Sequence, residues 1–119
     1  MKKIFAIFFG LVSSISMLLA DVTFRVNVPT GTTHCYVVGA LPELSSWAAG
    51  AGVAMTKVEG KDQFTVTVAG ITTADISASD GYKYICGPDW KYVEVTASNG
   101  EVSNRKTVGN PDVVARWRN

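Results

Sequence analysis

Gly81-Tyr82-Lys83-Tyr84-Ile85-Cys86-Gly87-Pro88-Asp89-Trp90 is the stretch on which the fold turns. It reads as a short aromatic strand that stops at a Gly-Pro-Asp turn and delivers a tryptophan just beyond it. Successive side chains of a strand point to opposite faces, so Tyr82, Tyr84 and Cys86 share one face and Lys83 and Ile85 the other. One face is expected to feed a core and the other to meet solvent or a ligand.

Outward from this strand the text repeats the same grammar. Val22, Phe24, Val26 and Val28 alternate with Thr23, Arg25 and Asn27, a half-buried strand ended by Pro29. Residues 34–39 form a more apolar, central strand, and a loop over residues 41–52 carries Trp47 among glycine and alanine. Residues 53–57 and 63–68 are strands joined by Glu59-Gly60-Lys61-Asp62, the second with Phe64, Val66 and Val68 opposite Thr65 and Thr67. The connection over residues 70–80 is long enough to hold a short turn of helix. Further strands are expected over 91–95, 104–108 and 113–117. Short strands at roughly ten-residue spacing, with no sustained helical period, predict an all-β sandwich of about seven to eight antiparallel strands.

The chain has 119 residues. Lys2 and Lys3, the apolar run over residues 4–19 and the small Ala20 read as a signal peptide over residues 1–20, leaving one domain over residues 21–119. The expected location is therefore secreted or periplasmic, with no membrane attachment after cleavage. The net charge of +1 less the two leader lysines gives −1, with acids and bases interspersed, which argues against a nucleic-acid partner. Cys35 and Cys86 are a candidate disulfide in an exported chain, or else two small buried hydrophobes. With the single His34 they match no zinc pattern, so neither metal nor cofactor is expected.

At Val37-Val38-Gly39, then Leu41-Pro42-Glu43-Leu44-Ser45-Ser46-Trp47, then Tyr82-Lys83-Tyr84 and Asn104-Arg105, the chain resembles the starch-binding domains of carbohydrate-binding module family 20. It is similar also to the glycogen-binding modules of family 48. The resemblance runs from Val22 to Trp117. It implies an immunoglobulin-like sandwich that binds α-1,4-glucan without catalysis, with Trp47, Lys83, Trp90 and Asn104 as carbohydrate-binding residues. Trp90 follows Lys83 by seven residues, an offset that resembles the glycogen-binding version. Ser45 stands where the family motif has glycine, so the Trp47 loop is expected to differ in shape. The family's second, tyrosine-built site would fall near Thr30 and Val58 and is expected to be absent. A separate glucan-degrading enzyme is the partner the resemblance suggests.

The chemistry of those residues suits that ligand. A pyranose has a face of C–H groups and an edge of hydroxyls, so its binder needs flat apolar platforms bordered by hydrogen-bonding groups. If one platform removes about 80 Å² of apolar surface from water, the gain is about 2 kcal/mol. Lys83 offers three N–H donors. Trp117, in an apolar terminal strand, is expected to pack, whereas Tyr92 shares the parity of Trp90 and could extend its platform.

A hydrolase would need two converging carboxylates, for which Asp89 and Glu94 are the nominees near Trp90, but so small a sandwich offers little cleft. Neither a nucleophile elbow nor a phosphate loop is present. The rival class is a structural or protein-interaction immunoglobulin-like module without sugar binding, favoured if Trp47 and Trp90 are buried or face opposite ways.

Overall fold

The longest alternating runs build the spine of the molecule. In the computed structural model, which describes residues 20–118, β1 (Asp21–Asn27) and β5 (Gln63–Ala69) pair antiparallel along their whole length, from Asp21↔Ala69 to Asn27↔Gln63. The leader expected over residues 1–20 lies, but for Ala20, outside the described residues. Register follows parity: Val22, Phe24, Val26, Phe64 and Val68 all turn inward and are buried. On the wet face Thr23 and Thr67, paired across the strands, share a hydroxyl hydrogen bond of 2.8 Å.

The nine strands among the described residues form an all-β sandwich. One sheet has the order β4 (Thr56–Lys57), β5, β1, β8 (Asp112–Val113) and the other β3 (Val53–Ala54), β2 (Tyr36–Gly39), β6 (Tyr82–Ile85), with β2 antiparallel to β6. A small ribbon of β7 (Glu94–Val95) and β9 (Arg116–Trp117) joins the second sheet through an Ile85↔Val93 bridge. The facing sides fuse into one core, where Phe24 of the first sheet meets Tyr82 of the second edge to face, with ring centroids 5.1 Å apart.

Four expected elements differ. Residues 53–57 are two strands rather than one: β3 (Val53–Ala54) pairs with β2, β4 (Thr56–Lys57) pairs with β5, and buried Met55 is the corner between sheets. Residues 113–117 divide likewise, β8 (Asp112–Val113) lying parallel to β1 before the chain crosses to β9, so not every pairing is antiparallel. Residues 104–108 form no strand, because only Arg105 bridges Tyr82 before its side chain turns inward. Over residues 91–95 only β7 is strand, since Trp90–Tyr92 is a 3-10 turn.

The long connection contains α1 (Thr73–Ala78), started by a reciprocal cap in which Thr72 Oγ1 accepts from Asp75 N and Asp75 Oδ2 from Thr72 N. Its purpose is packing: Ile76 is fully buried and, with Ile71, closes one side of the core.

A buried polar network locks β6 in place. Both the Tyr82 and Tyr84 hydroxyls donate to Asp112 Oδ2 at 2.7 Å, while Gly109 N donates to Asp112 Oδ1. Arg105 donates to both oxygens of Glu94, at 2.9 and 2.5 Å, and Glu94 Oε2 also accepts from Tyr84 N. Burial opposes the Arg105 charge, but the bonds and charges of Glu94, then Asp112, outweigh it and hold the guanidinium protonated. Burial first, with Asp112 adding, pushes both tyrosine hydroxyls far above their ordinary range.

Candidate functional site

The outward side of β6 is as ordered as its inward side. Ile85 on β6, Val38 on β2 and Val93 form a second, fully covered apolar cluster, against which Tyr36, Trp47, Ala49 and Trp90 pack. Trp47 and Trp90 meet there, with ring centroids 6.0 Å apart and planes inclined by 46°. Both are half-buried, so the pair is neither sunk in the core nor split between faces. They are 43 positions apart in sequence, and two unrelated local devices bring them together.

Trp47 ends the loop segment Pro42–Trp47, which opens with proline in a short 3-10 turn. Leu44 anchors the segment by packing on Gly39, where a Cβ would lie 2.8 Å from Leu44 Cδ1 and 2.7 Å from the Gly81 carbonyl. Only glycine fits there. The chain then reverses through three consecutive left-handed residues, Ser45 (φ 72°), Ser46 (φ 50°) and Trp47 (φ 65°). Ser45 thus holds the conformation glycine adopts most easily, helped by its Oγ donating to the Ala48 carbonyl at 3.0 Å.

Trp90 opens the 3-10 turn after Gly87-Pro88-Asp89. Asp89 Oδ1 accepts from Lys91 N, and Cys86 N donates to the Tyr92 carbonyl, closing the turn. The Tyr92 ring lies on Gly87, where a Cβ would come within 2.5 Å of Tyr92 Cδ2. Tyr92 therefore braces the turn instead of extending the Trp90 platform, because the 3-10 turn breaks the strand parity on which that expectation rested.

Lys83 shares the outward face by the pleat and pairs across with Val38. Only 12 % of its side chain is exposed, and its ammonium lies 3.9 Å from the exposed Glu101 carboxylate. Such a contact is weak and easily exchanged for another acceptor. Asn104 is exposed, and its amide donates to the Asp80 carbonyl at 2.9 Å, tying down the turn before β6. Trp117 packs, as expected, against the main core and donates its indole N–H to Thr32 Oγ1.

The two carboxylates nominated for hydrolysis are otherwise engaged. Glu94 is 1 % exposed and locked by Arg105 and Tyr84 N, while Asp89 caps the turn. Among the described residues no three His, Cys, Asp or Glu side chains converge as a metal would require. Sequence reasoning missed the positioning roles of Arg105 and Asp112. The Asn-Arg pair was the one signal for Arg105, but it drew attention to Asn104 instead.

No family model matches the chain, and no curated protein matches it. Among solved structures the chain is similar to the Glycoside Hydrolase Family 15 Glucoamylase from Hypocrea jecorina, at 23 % identity and a TM-score of 0.52, over 83 % of this chain. It is similar also to the Family 20 CBM of the Maltotetraose-forming Amylase from Pseudomonas Saccharophila STB07, at 19 % identity and a TM-score of 0.45, over 79 % of this chain and 99 % of that one. The chain spans 17 % of the glucoamylase's length. The likeness to that segment is one of fold: this β-sandwich architecture occurs as part of a larger protein.

Proposed function

We propose that residues 21–119 are a non-catalytic carbohydrate-binding domain, secreted or periplasmic, that holds starch- or glycogen-type α-1,4-glucan on Trp47 and Trp90. The observation that carries this reading is the pairing of those two half-buried rings, 6.0 Å apart, on one face. Stacking on indole suits the C–H face of glucose. The 46° inclination favours a curved α-1,4 chain, whose successive rings turn, over a flat ribbon. Lys83 and Asn104 are the proposed polar contacts, each after giving up or sharing its present partner. The motif resemblance supplies the ligand class. Hydrolysis of the glucan falls to a separate enzyme, for which this domain provides attachment.

Two platforms at about 2 kcal/mol each, less the costs of association and ordering, give affinities in the millimolar to tens-of-micromolar range. Affinity electrophoresis through gels with and without soluble starch tests the proposal. Retarded migration in the starch gel is expected, and unretarded migration sinks it. N-terminal sequencing of protein recovered from periplasm or medium should begin at Asp21.

A further inference from the structure

The register of β2 on β6 carries an inference about Cys35 and Cys86, which are both thiols in this structure. The pairs Gly39↔Tyr82, Val38↔Lys83, Val37↔Tyr84 and Tyr36↔Ile85 continue, one step on, to Cys35 opposite Cys86. Ala40 N donates to the Gly81 carbonyl, which marks that pair as hydrogen-bonded. Hydrogen-bonded and non-hydrogen-bonded pairs alternate along an antiparallel ladder, so Cys35 and Cys86, five steps away, form a non-hydrogen-bonded pair. Their outward backbone bonds agree: Cys35 O accepts from Met55 N, and Cys86 N donates to Tyr92 O. In such pairs the Cα atoms approach to about 4.5 Å, inside the span a disulfide requires. Parity places both side chains on the core side with Val37 and Tyr84.

The geometry points to a cross-strand disulfide between Cys35 and Cys86 that clips the two strands carrying the candidate site. Access is asymmetric. Cys35 is buried, whereas Cys86 is half-buried and lines an open cleft of ≈ 250 Å³ walled by Pro29, Thr30, Thr32, Thr33 and Trp117. Burial pushes the Cys35 thiol up, with Cys86 adding to the effect, as two adjacent sulfurs require. The reaction is thiol–disulfide exchange with a small-molecule or protein disulfide as oxidant. The Cys86 thiolate attacks that disulfide and expels one thiol. Cys35 then loses its proton, attacks the Cys86 sulfur and expels the second, so the two electrons end on the reduced oxidant.

The test incubates the purified full chain with oxidised glutathione, denatures it in iodoacetamide without reductant, and weighs it. The expected product is a monomer lighter by two hydrogens with no alkylated thiol. Adding dithiothreitol should lower its Tm by about 10 °C or more. The Cys35→Ala/Cys86→Ala variant should show no response to dithiothreitol. A lasting glutathione adduct on Cys86, a disulfide-linked dimer, or two alkylated thiols after oxidation would each overturn the proposal. None of these outcomes depends on glucan binding.

Discussion

Replacing Ser45 by glycine and by alanine isolates the backbone strain in the Trp47 loop. Ser45 sits at φ 72°, where an L-residue is disfavoured by about 1–2 kcal/mol. Glycine removes that penalty but gains about 0.4–1 kcal/mol of freedom in the unfolded chain. Both variants lose the 3.0 Å bond from Ser45 Oγ to the Ala48 carbonyl, so that loss cancels when they are compared. Ser45→Gly is therefore expected to be more stable than Ser45→Ala by about 1 kcal/mol, equivalent to a Tm gap of about 4–8 °C in a domain this small. Against the parent, Ser45→Gly should be near neutral, because strain relief offsets the lost hydrogen bond. Urea denaturation of the three proteins side by side, with a common slope, provides the measurement. An alanine variant as stable as the glycine variant would show that Ser45 is not strained, and the account of how this loop presents Trp47 would fail.

Trp47→Ala and Trp90→Ala should each weaken starch retention by about 2 kcal/mol, or roughly 30-fold, in affinity gels or calorimetry. Trp117→Ala, which breaks a core contact and the bond to Thr32, should lower Tm while leaving retention intact. Arg105→Met should cost about 3–5 kcal/mol in denaturant, because it strands Glu94 and Asp112 as buried uncompensated carboxylates. Stability should fall as pH rises past the ordinary tyrosine value of about 10, since unfolded tyrosines ionise there while burial keeps folded Tyr82 and Tyr84 protonated. Two protons held only by the folded state give a slope of about −2.7 kcal/mol per pH unit above that point. Tyrosinate absorbance that shows all four tyrosines titrating normally in the native protein would contradict this.

What could be read from the sequence was whatever a local period controls. The alternation in β1 and β5 predicts the core face and the wet face, and parity places Tyr82 and Tyr84 in the core correctly; the opposite face of β6, expected to meet solvent or a ligand, is instead covered at Ile85 by a second apolar cluster. Reading failed where a long-range partner decides. Val53 to Lys57 has the composition of one strand, and only the position of Cys35, whose carbonyl receives Met55 N, makes Met55 a corner. Asp112 is an ordinary turn residue in the sequence, because the phenols that make it structural lie about thirty positions earlier. Trp90–Tyr92 defeats strand parity because Asp89 caps a 3-10 turn, a competition between side chain and ladder that alternation does not register. Trp47 and Trp90 were legible as motif positions; their 6.0 Å approach depends on Gly39 and Gly87, whose missing side chains are filled by Leu44 and Tyr92.

On the proposed function, the division of labour across β6 bears on how two small apolar platforms could hold a glucan. Its inner side chains, Tyr82 and Tyr84, are fixed by Asp112, and the strand's outer Ile85 backs the cluster on which both tryptophans rest. Neither indole is mounted on a strand: Trp47 ends a left-handed turn anchored by Leu44 and Trp90 opens a 3-10 turn braced by Tyr92, so little side-chain freedom would remain to be lost on binding a glucan. If the rings do bind glucan, an apolar gain of about 2 kcal/mol per platform would survive as measurable affinity, because that ordering cost has already been met in folding. It follows that changes on the inner side, such as loosening the Tyr–Asp112 bonds, should weaken glucan retention through the orientation of the rings even where the fold persists. Changes to the rings themselves should leave the inner network intact.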